Sequence, residues 1–230
     1  MAQVQVHTRH TPSFGVARLG LAPGEAVRVE AGAMLATSYG VGVEARPQGG
    51  VLTALARAAL GGESALVFTY LAPAQGGWVD VAPALPGDLH VVDLDPAGGW
   101  CLTRGCWVAG EVGVQVQTQW GGFRSLFGGE RGFLMHASGP GRMVLCGYGA
   151  LDVLNLQAGE YVTVDTGHVV GYPDAVQSRL RPISQGLTQS LRTGEGLVFD
   201  FAGPGQVLTQ TRNPRGLASW LQTGGPVPRS

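Results

Sequence analysis

The sequence predicts an all-β protein made of three related β units. Its 38 glycines and 14 prolines separate short runs rich in β-branched and aromatic residues, a pattern typical of many strands joined by tight turns. One motif, weaker in its second copy, occurs three times: LAPGEAVRVEAGAML at 21–35, LDPAGGWCLTRGCWV at 94–108 and LQAGEYVTVDTGHVV at 156–170. Repeats of this kind bury their faces against one another, so we expect a single compact domain.

A second motif follows each copy of the first. Its three copies are GGESALVFTY at 61–70, GGERGFLMHA at 128–137 and TGEGLVFDFAG at 193–203. The steady period predicts one domain over 1–230, with β-sandwich-like repeats in a pseudo-threefold arrangement at about 1–90, 91–153 and 154–221. Residues 222–230 then form a short tail.

The second motif carries an acidic residue in each copy, Glu63, Glu130 and Glu195. Under pseudo-threefold symmetry three carboxylates near an axis would offer oxygen ligands to a cation. The simpler interpretation is that each acid caps a glycine turn at the start of a strand. The cap is favoured, and cation binding stays the alternative.

The triplet Asp165-Thr166-Gly167 is typical of the catalytic loop of an aspartic protease. Such an enzyme shares one proton between two neighbouring carboxylates, whereas this sequence contains one D-T-G. The triplet aligns with Glu30-Ala31-Gly32 and Thr103-Arg104-Gly105, so the repeats retain the glycine. We therefore expect a turn in which Gly32 and Gly167 have positive φ and Asp165 accepts hydrogen bonds from turn N–H groups.

Metal and thiol chemistry have weak support. His168 would need partners such as Asp165 or His136, which do not have a recognised ligand spacing. A hydrogen-bonded structural histidine is favoured, and Asp165 and His168 remain candidate ligand-site residues. Cys101 and Cys106 are too few for a structural zinc site, and with Cys146 they indicate reduced thiols. We expect no cofactor and no metal.

Two apolar inserts precede copies of the second motif. VLTALARAAL at 51–60 is the clear helical signal, so one or two short helices are expected in the inserts. This helix either covers an open end of a β unit or meets another subunit or a membrane surface. The insert at 120–127 is aromatic and glycine-rich, which favours packing or a protein interface. The candidate interface residues are Leu52, Leu55, Phe123 and Phe127.

Composition excludes several functions. The net charge of −1 gives no overall attraction to nucleic acid, and a sequence without lysine cannot form the common phosphate loop. The N-terminus has no signal-peptide pattern and no long apolar run occurs, so we expect a cytoplasmic protein without a transmembrane segment, although peripheral membrane contact stays open. Only 13% of residues are charged, which favours a surface partly covered by a partner.

The ordered motifs GEAVRVEAGAM, QGGVLTALARAALGGES, LPGD, YGAL, GEYVTVDTGHVV and GEGLVFDFAGPGQVLTQTRN resemble those of bacterial members of the mitochondrial biogenesis AIM family, over about Ser13 to Leu221. The resemblance implies a TRAP-like fold, similar to the tryptophan RNA-binding attenuation protein, with three related all-β subdomains. It also implies a link to membrane organisation and respiratory-chain assembly in mitochondrial members, and it supplies no catalytic residues.

These observations predict a non-catalytic assembly or scaffold protein that associates with itself as a homo-oligomer or with a protein partner. The alternative is a module that binds a small ligand or RNA in a groove between repeats, by analogy with the attenuation protein. Catalysis is the least supported of the three functions.

Overall fold

The computed structural model describes residues 3–47, 66–118, 134–183 and 196–222. Within these ranges the chain forms nineteen β-strands and one helix, which confirms the all-β prediction. The predicted helix at 51–60 and the candidate interface residues Leu52, Leu55, Phe123 and Phe127 lie outside the described residues. The repeated acids Glu63, Glu130 and Glu195 also lie outside them.

The strands are grouped here into three units by the turns that separate them. Unit 1 contains β1 (Gln5–Arg9), β2 (Val16–Leu21), β3 (Ala26–Glu30), β4 (Met34–Thr37), β5 (Gly42–Pro47), β6 (Leu66–Leu71) and β7 (Gly77–Val81). Unit 2 contains β8 (Gly87–Leu94), β9 (Gly99–Thr103), β10 (Trp107–Glu111), β11 (Gln115–Thr118), β12 (Leu134–Ser138) and β13 (Gly141–Tyr148). Unit 3 contains β14 (Leu151–Leu156), β15 (Tyr161–Asp165), β16 (Val169–Pro173), β17 (Gln177–Pro182), β18 (Leu197–Ala202) and β19 (Gly205–Gln210). The predicted boundaries at 90 and 153 fall within β8 and β14.

The described strands form four antiparallel sheets, and each unit contributes strands to two of them. Sheet A has the order β1-β2-β7-β4, and sheet D has the order β15-β18-β17. Sheet B joins units 1 and 2 in the order β5-β6-β3-β10-β13-β8, and sheet C joins units 2 and 3 in the order β11-β12-β9-β16-β19-β14. Neighbouring units are therefore joined by main-chain hydrogen bonds between β3 and β10 and between β9 and β16.

Three hydrophobic cores follow the order of the sheets. Core 1 is formed by residues of sheets A and B, including Leu19, Val29 and Val79. Core 2 is formed by sheets B and C, including Leu102 and Met143. Core 3 is formed by sheets C and D and is rich in aromatic rings: Phe201 lies 5.4 Å from Phe199 and 4.8 Å from Tyr172 between centroids. Alternating apolar residues along the strands supply these inward faces.

Each copy of the first sequence motif forms a strand, a turn and a second strand that enters a different sheet. The turn is closed by the same main-chain hydrogen bond in each copy: Ala33 N to Glu30 O at 3.1 Å, Cys106 N to Thr103 O at 3.3 Å, and His168 N to Asp165 O at 2.9 Å. The local structure thus recurs with the motif. The pseudo-threefold relation between whole units stays a prediction.

The turns require glycine for two different physical reasons, a positive φ or a close contact. Gly32 has φ +84° and Gly105 has φ +80°, a backbone conformation that L-residues rarely adopt. The prediction of positive φ is confirmed for Gly32 but is wrong for Gly167, whose φ lies outside this region. At Gly167 an added Cβ would overlap the side-chain amide of Asn213. A contact with a residue distant in sequence, not a backbone angle, therefore requires this glycine.

The helix, α1 (Pro214–Gln222), follows unit 3 and was not expected from the sequence. Asn213 is its N-cap: the side-chain Oδ1 accepts a hydrogen bond from the N–H of Arg215 at 2.9 Å. Proline is favourable at the first helical position because an N–H at that position would have no partner within the helix, so its absence costs nothing. In the sequence, the Asn213-Pro214 pair is the pattern that could have predicted the start of this helix. None of the helix residues is fully buried.

Substitution by alanine is expected to separate the two glycine requirements. Gly32→Ala meets nothing within 4 Å, so it should cost about 1–2 kcal/mol through left-handed strain alone. Gly167→Ala should be destabilising because the methyl group displaces Asn213. In an Asn213→Ala background the cost of Gly167→Ala should shrink, whereas that of Gly32→Ala should not change. Urea unfolding of the wild type, the three single variants and the two double variants measures this, and equal additivity for both glycines would contradict it.

Candidate functional site

The D-T-G turn is held by hydrogen bonds within the protein. The Asp165 carboxylate accepts a hydrogen bond from the N–H of Gly167 at 2.7 Å, as the turn interpretation predicts. His168 Nδ1 lies 2.8 Å from the carbonyl oxygen of Gln210, so Nδ1 is the donor. The N–H of Gln210 returns a hydrogen bond to the His168 carbonyl oxygen at 2.9 Å. Asp165 and His168 therefore have structural partners, and a ligand role for them stays a prediction.

Gln210 links this turn to the end of unit 2, which the sequence did not indicate. Its side chain is buried, with Nε2 donating to the Gly167 carbonyl oxygen at 2.9 Å and Oε1 accepting from the Tyr148 N–H at 2.8 Å. A buried amide with both ends hydrogen-bonded fixes the relative position of the two segments that it joins. A lone glutamine at the end of a strand gives no recognisable sequence signal.

A second polar cluster lies where units 2 and 3 meet. Strand register places His136 and Tyr172 on either side of Cys101 in sheet C. His136 Nε2 is 2.8 Å from one oxygen of Asp174, and the Cys101 thiol donates to the other at 3.7 Å. Gly99 lies beneath, and a Cβ there would overlap both the Asp174 carboxylate and the His136 ring.

The chemistry of this cluster favours a structural role. Burial raises the pKa of the Cys101 thiol, so sulfur is protonated near neutral pH and is a poor nucleophile. Burial also raises the pKa of Tyr172, whose hydroxyl accepts a hydrogen bond from Ser178 at 3.2 Å. Both oxygens of Asp174 already have partners. Among the described residues, no three His, Cys, Asp or Glu side chains are arranged to hold a metal ion.

The two junctions between units share one geometry. In sheet B, Ala109 pairs with Val29 and Gly110 with Arg28. In sheet C the equivalent pairs join residues 171 and 172 of β16 to residues 102 and 101 of β9. On the opposite edge, each strand that follows the turn has a β-bulge with one extra residue. The extra residue is Val108 where β10 pairs with β13, and Val170 where β16 pairs with β19.

The bulge residue of each junction reaches the core of the preceding unit. Val108 of unit 2 belongs to core 1, Val170 of unit 3 belongs to core 2, and both are fully buried. Each of the first two cores is thus completed by a residue of the next unit.

The equivalent position in unit 1 is exposed. Strand β4 has the same bulge, at Leu35, but in the described chain it pairs only with β7. Leu35 is 56% exposed and Met34 is 43% exposed, whereas Val108 and Val170 are 0% exposed. Among the described strands, β15 pairs only with β18. The described strands of one copy therefore do not form a third junction of this type.

The part of sheet A beside β4 carries an ion-pair network. Asp80 lies on β7 and pairs with Ala36 of β4. Val144 and Leu208 occupy the equivalent positions in units 2 and 3. Its carboxylate accepts hydrogen bonds from Arg18 at 2.8 Å and Arg9 at 2.7 Å. The Arg18 guanidinium also lies 3.8 Å over the Trp78 ring. The hydrogen bond from Arg18, reinforced by Arg9, lowers the pKa of Asp80 to about 2.

With the architecture described, comparison with known proteins decides the family. Residues 6–212, which include nearly all nineteen strands and end before α1, match the family described as mitochondrial biogenesis AIM24. The chain belongs to the AIM24 family. The resemblance inferred from the ordered motifs is confirmed.

This AIM24 chain is similar to proteins of Streptococcus pyogenes. It is 26% identical over 218 residues to an uncharacterised protein of serotype M6, a match that covers 91% of this chain and 86% of that protein. It also superposes on the crystal structure of an S. pyogenes protein with a TM-score of 0.80 at 22% identity, covering 96% of this chain and 100% of the other. The latter similarity shows a common fold. Within the described residues of the AIM24 chain, no helix is long and apolar enough to cross a bilayer.

The Asp80 network predicts a defined acid sensitivity. The pKa of this carboxyl is lower in the folded protein than the usual 3.8, so its stabilising contribution is complete above about pH 4 and is lost as pH falls towards 2. Asp80→Asn should lower the free energy of unfolding by about 2 kcal/mol at pH 7 and flatten its decline between pH 4 and 2. Chemical denaturation across this pH range tests the prediction. Parallel pH profiles for the two proteins would contradict it.

Proposed function

We propose that this AIM24 protein is a non-catalytic assembly or scaffold protein that associates with further copies of itself. The observation that carries the proposal is the exposure of Leu35 on β4, an edge strand of sheet A, where the equivalent Val108 and Val170 are completely buried. A position that is core in two units and solvent-exposed in the third is typical of an interface.

Physical chemistry favours covering this strand. An unpaired edge strand presents free main-chain N–H and C=O groups that act as a template for another strand. Burial of a leucine side chain is worth about 1.5–3 kcal/mol relative to exposure. The Arg9 and Arg18 side chains beside it are partly exposed to water and pair with the buried Asp80 carboxylate, so a single copy tolerates the exposed edge until a partner binds.

The polar clusters support a role without catalysis. In the D-T-G turn the Asp165 carboxylate accepts from the Gly167 N–H and the His168 ring donates to the Gln210 carbonyl oxygen, while Asp174 contacts Cys101 and His136. Burial raises the pKa of the Cys106 thiol to about 11, so it too is protonated near neutral pH. The family description, mitochondrial biogenesis, agrees better with assembly than with a single metabolic reaction. Leu52, Leu55, Phe123 and Phe127 remain predicted additional contacts.

Sedimentation velocity of the full chain over a range of concentrations tests self-association. We expect an average mass above that of one copy, and Leu35→Asp should weaken association by at least about tenfold because a charge would replace a leucine that the proposed interface buries. Val112→Asp is the matched control, since Val112 is 47% exposed but lies outside the strands, in the turn after β10. Circular dichroism verifies that both variants keep the β fold.

The control defines the contradicting results. A wild-type protein that stays a single copy at every concentration would overturn the proposed function. Equal weakening by Leu35→Asp and Val112→Asp would show that general surface hydrophobicity, not β4, drives association.

A further inference from the structure

We propose that β4 of one copy pairs antiparallel with β15 of a second copy, so that the junction joining the units within the chain also joins copies of the chain. The inference rests on the proposed self-association and specifies its surfaces. In both internal junctions, the strand before a turn pairs with the strand after the next turn: β3 with β10, and β9 with β16. The unused strand before a turn is β15, and the unused strand after a turn is β4.

The third hydrophobic core leads to the same pairing. Core 1 receives Val108 from unit 2, and core 2 receives Val170 from unit 3. Among the described residues, core 3 contains no equivalent residue from a further unit. Leu35 of a second copy has the matching bulge position and is exposed. Pairing β4 with β15 would bring it towards core 3.

Strand β15 is less covered than its two counterparts. The inward residues of β3 and β9 are buried, whereas Val162 of β15 is only half-buried and Tyr161 is 77% exposed. Val164, at the protected end near the turn, is 9% exposed. A strand laid along β15 would cover the apolar side chains that an additional unit covers elsewhere.

The internal junctions also predict the register. In each, the residue three positions before the turn glycine pairs with the residue four positions after the next turn glycine, as Val29 pairs with Ala109. The same rule pairs Val164 with Ala36 and Thr163 with Thr37. Thr163 is exposed and Thr37 is half-buried, so their side chains are suited to a cross-link.

The proposed contact is directional. Strands β4 and β15 belong to sheets A and D, the two ends of the series of sheets, so one copy uses a different edge from its neighbour. Such a heterologous contact produces a ring if the rotation closes and a filament if it does not. Pairing of β4 with β4 would instead give a twofold dimer, an arrangement that neither internal junction uses.

Disulfide trapping tests this pairing in the full chain. Thr37→Cys and Thr163→Cys are purified separately, mixed and oxidised, and cross-linked dimer is measured on a non-reducing gel. Opposed residues of antiparallel strands have Cα atoms about 4.5–5.5 Å apart, within disulfide reach. We expect the mixture to yield at least about tenfold more dimer than wild type or either variant alone, since these have only the native thiols or one copy of the new one.

A register control uses the same strand. Thr37→Cys mixed with Tyr161→Cys places the second cysteine two residues out of register, about 7 Å further along β15 and beyond disulfide reach. It should yield no more dimer than wild type. Equal cross-linking by this pair would overturn the register and with it the proposed equivalence of the junctions.

The remaining results separate this inference from the function on which it rests. Strong dimer formation by Thr37→Cys alone would show β4–β4 pairing and overturn the inference. A Thr37→Cys/Thr163→Cys chain that cross-links internally would show that the edges meet within one copy, with the same consequence. If wild type associates in sedimentation while the mixed variants do not cross-link, the scaffold function stands and these edges are wrong. A wild type that never associates overturns both.

Discussion

The architecture depends on one constraint: units 1 and 2 do not complete their own hydrophobic cores. Core 1 needs Val108, Ala109 and Val144 of unit 2, and core 2 needs Val170 and Leu208 of unit 3. Because shared sheets bring these residues into place, strand pairing and core packing form together at each junction. At the boundary between units 2 and 3, polar links through Gln210 and Asp174 also fix the relative orientation of these two units.

The sequence predicted the parts of the fold that depend on local pattern. Alternating residues indicated strands, and the repeated motif located three turns whose hydrogen bonds recur in the structure. Gly32 followed the local rule for a positive φ, whereas Gly167 did not, because its constraint comes from Asn213, forty-six residues away. Periodicity indicates that a strand exists, but it does not identify the neighbouring strand, so the sharing of sheets B and C was not predictable in this way.

The candidate sites illustrate the same limit. Asp165 and His168 were found because they lie within a repeated motif, and the acid's role in the turn was correctly inferred. The Cys101, His136 and Asp174 cluster escaped notice because its members come from three separate strands or turns and share no spacing in sequence. The exposure of Leu35 was likewise not predictable from the sequence, since its motif position is hydrophobic in all three copies. Leu35 differs from Val108 and Val170 because β4 has no second neighbouring strand among those described, whereas β10 pairs with β3 and β16 pairs with β9.

The two ends of the chain differ in a way that bears on assembly. In repeat proteins a terminal unit commonly has a polar outer face, which prevents unlimited stacking. Unit 1 follows this rule at Asp80, where the other units have Val144 and Leu208, but it breaks the rule at Leu35. A fully capped unit would be polar at both positions. The combination leaves Leu35 exposed at the edge of β4 beside a charged position. A closed ring built through this edge would contain a number of described units divisible by three, because each copy contributes three. If the rotation set by strand twist at each junction does not satisfy that condition, the same contact extends into a filament.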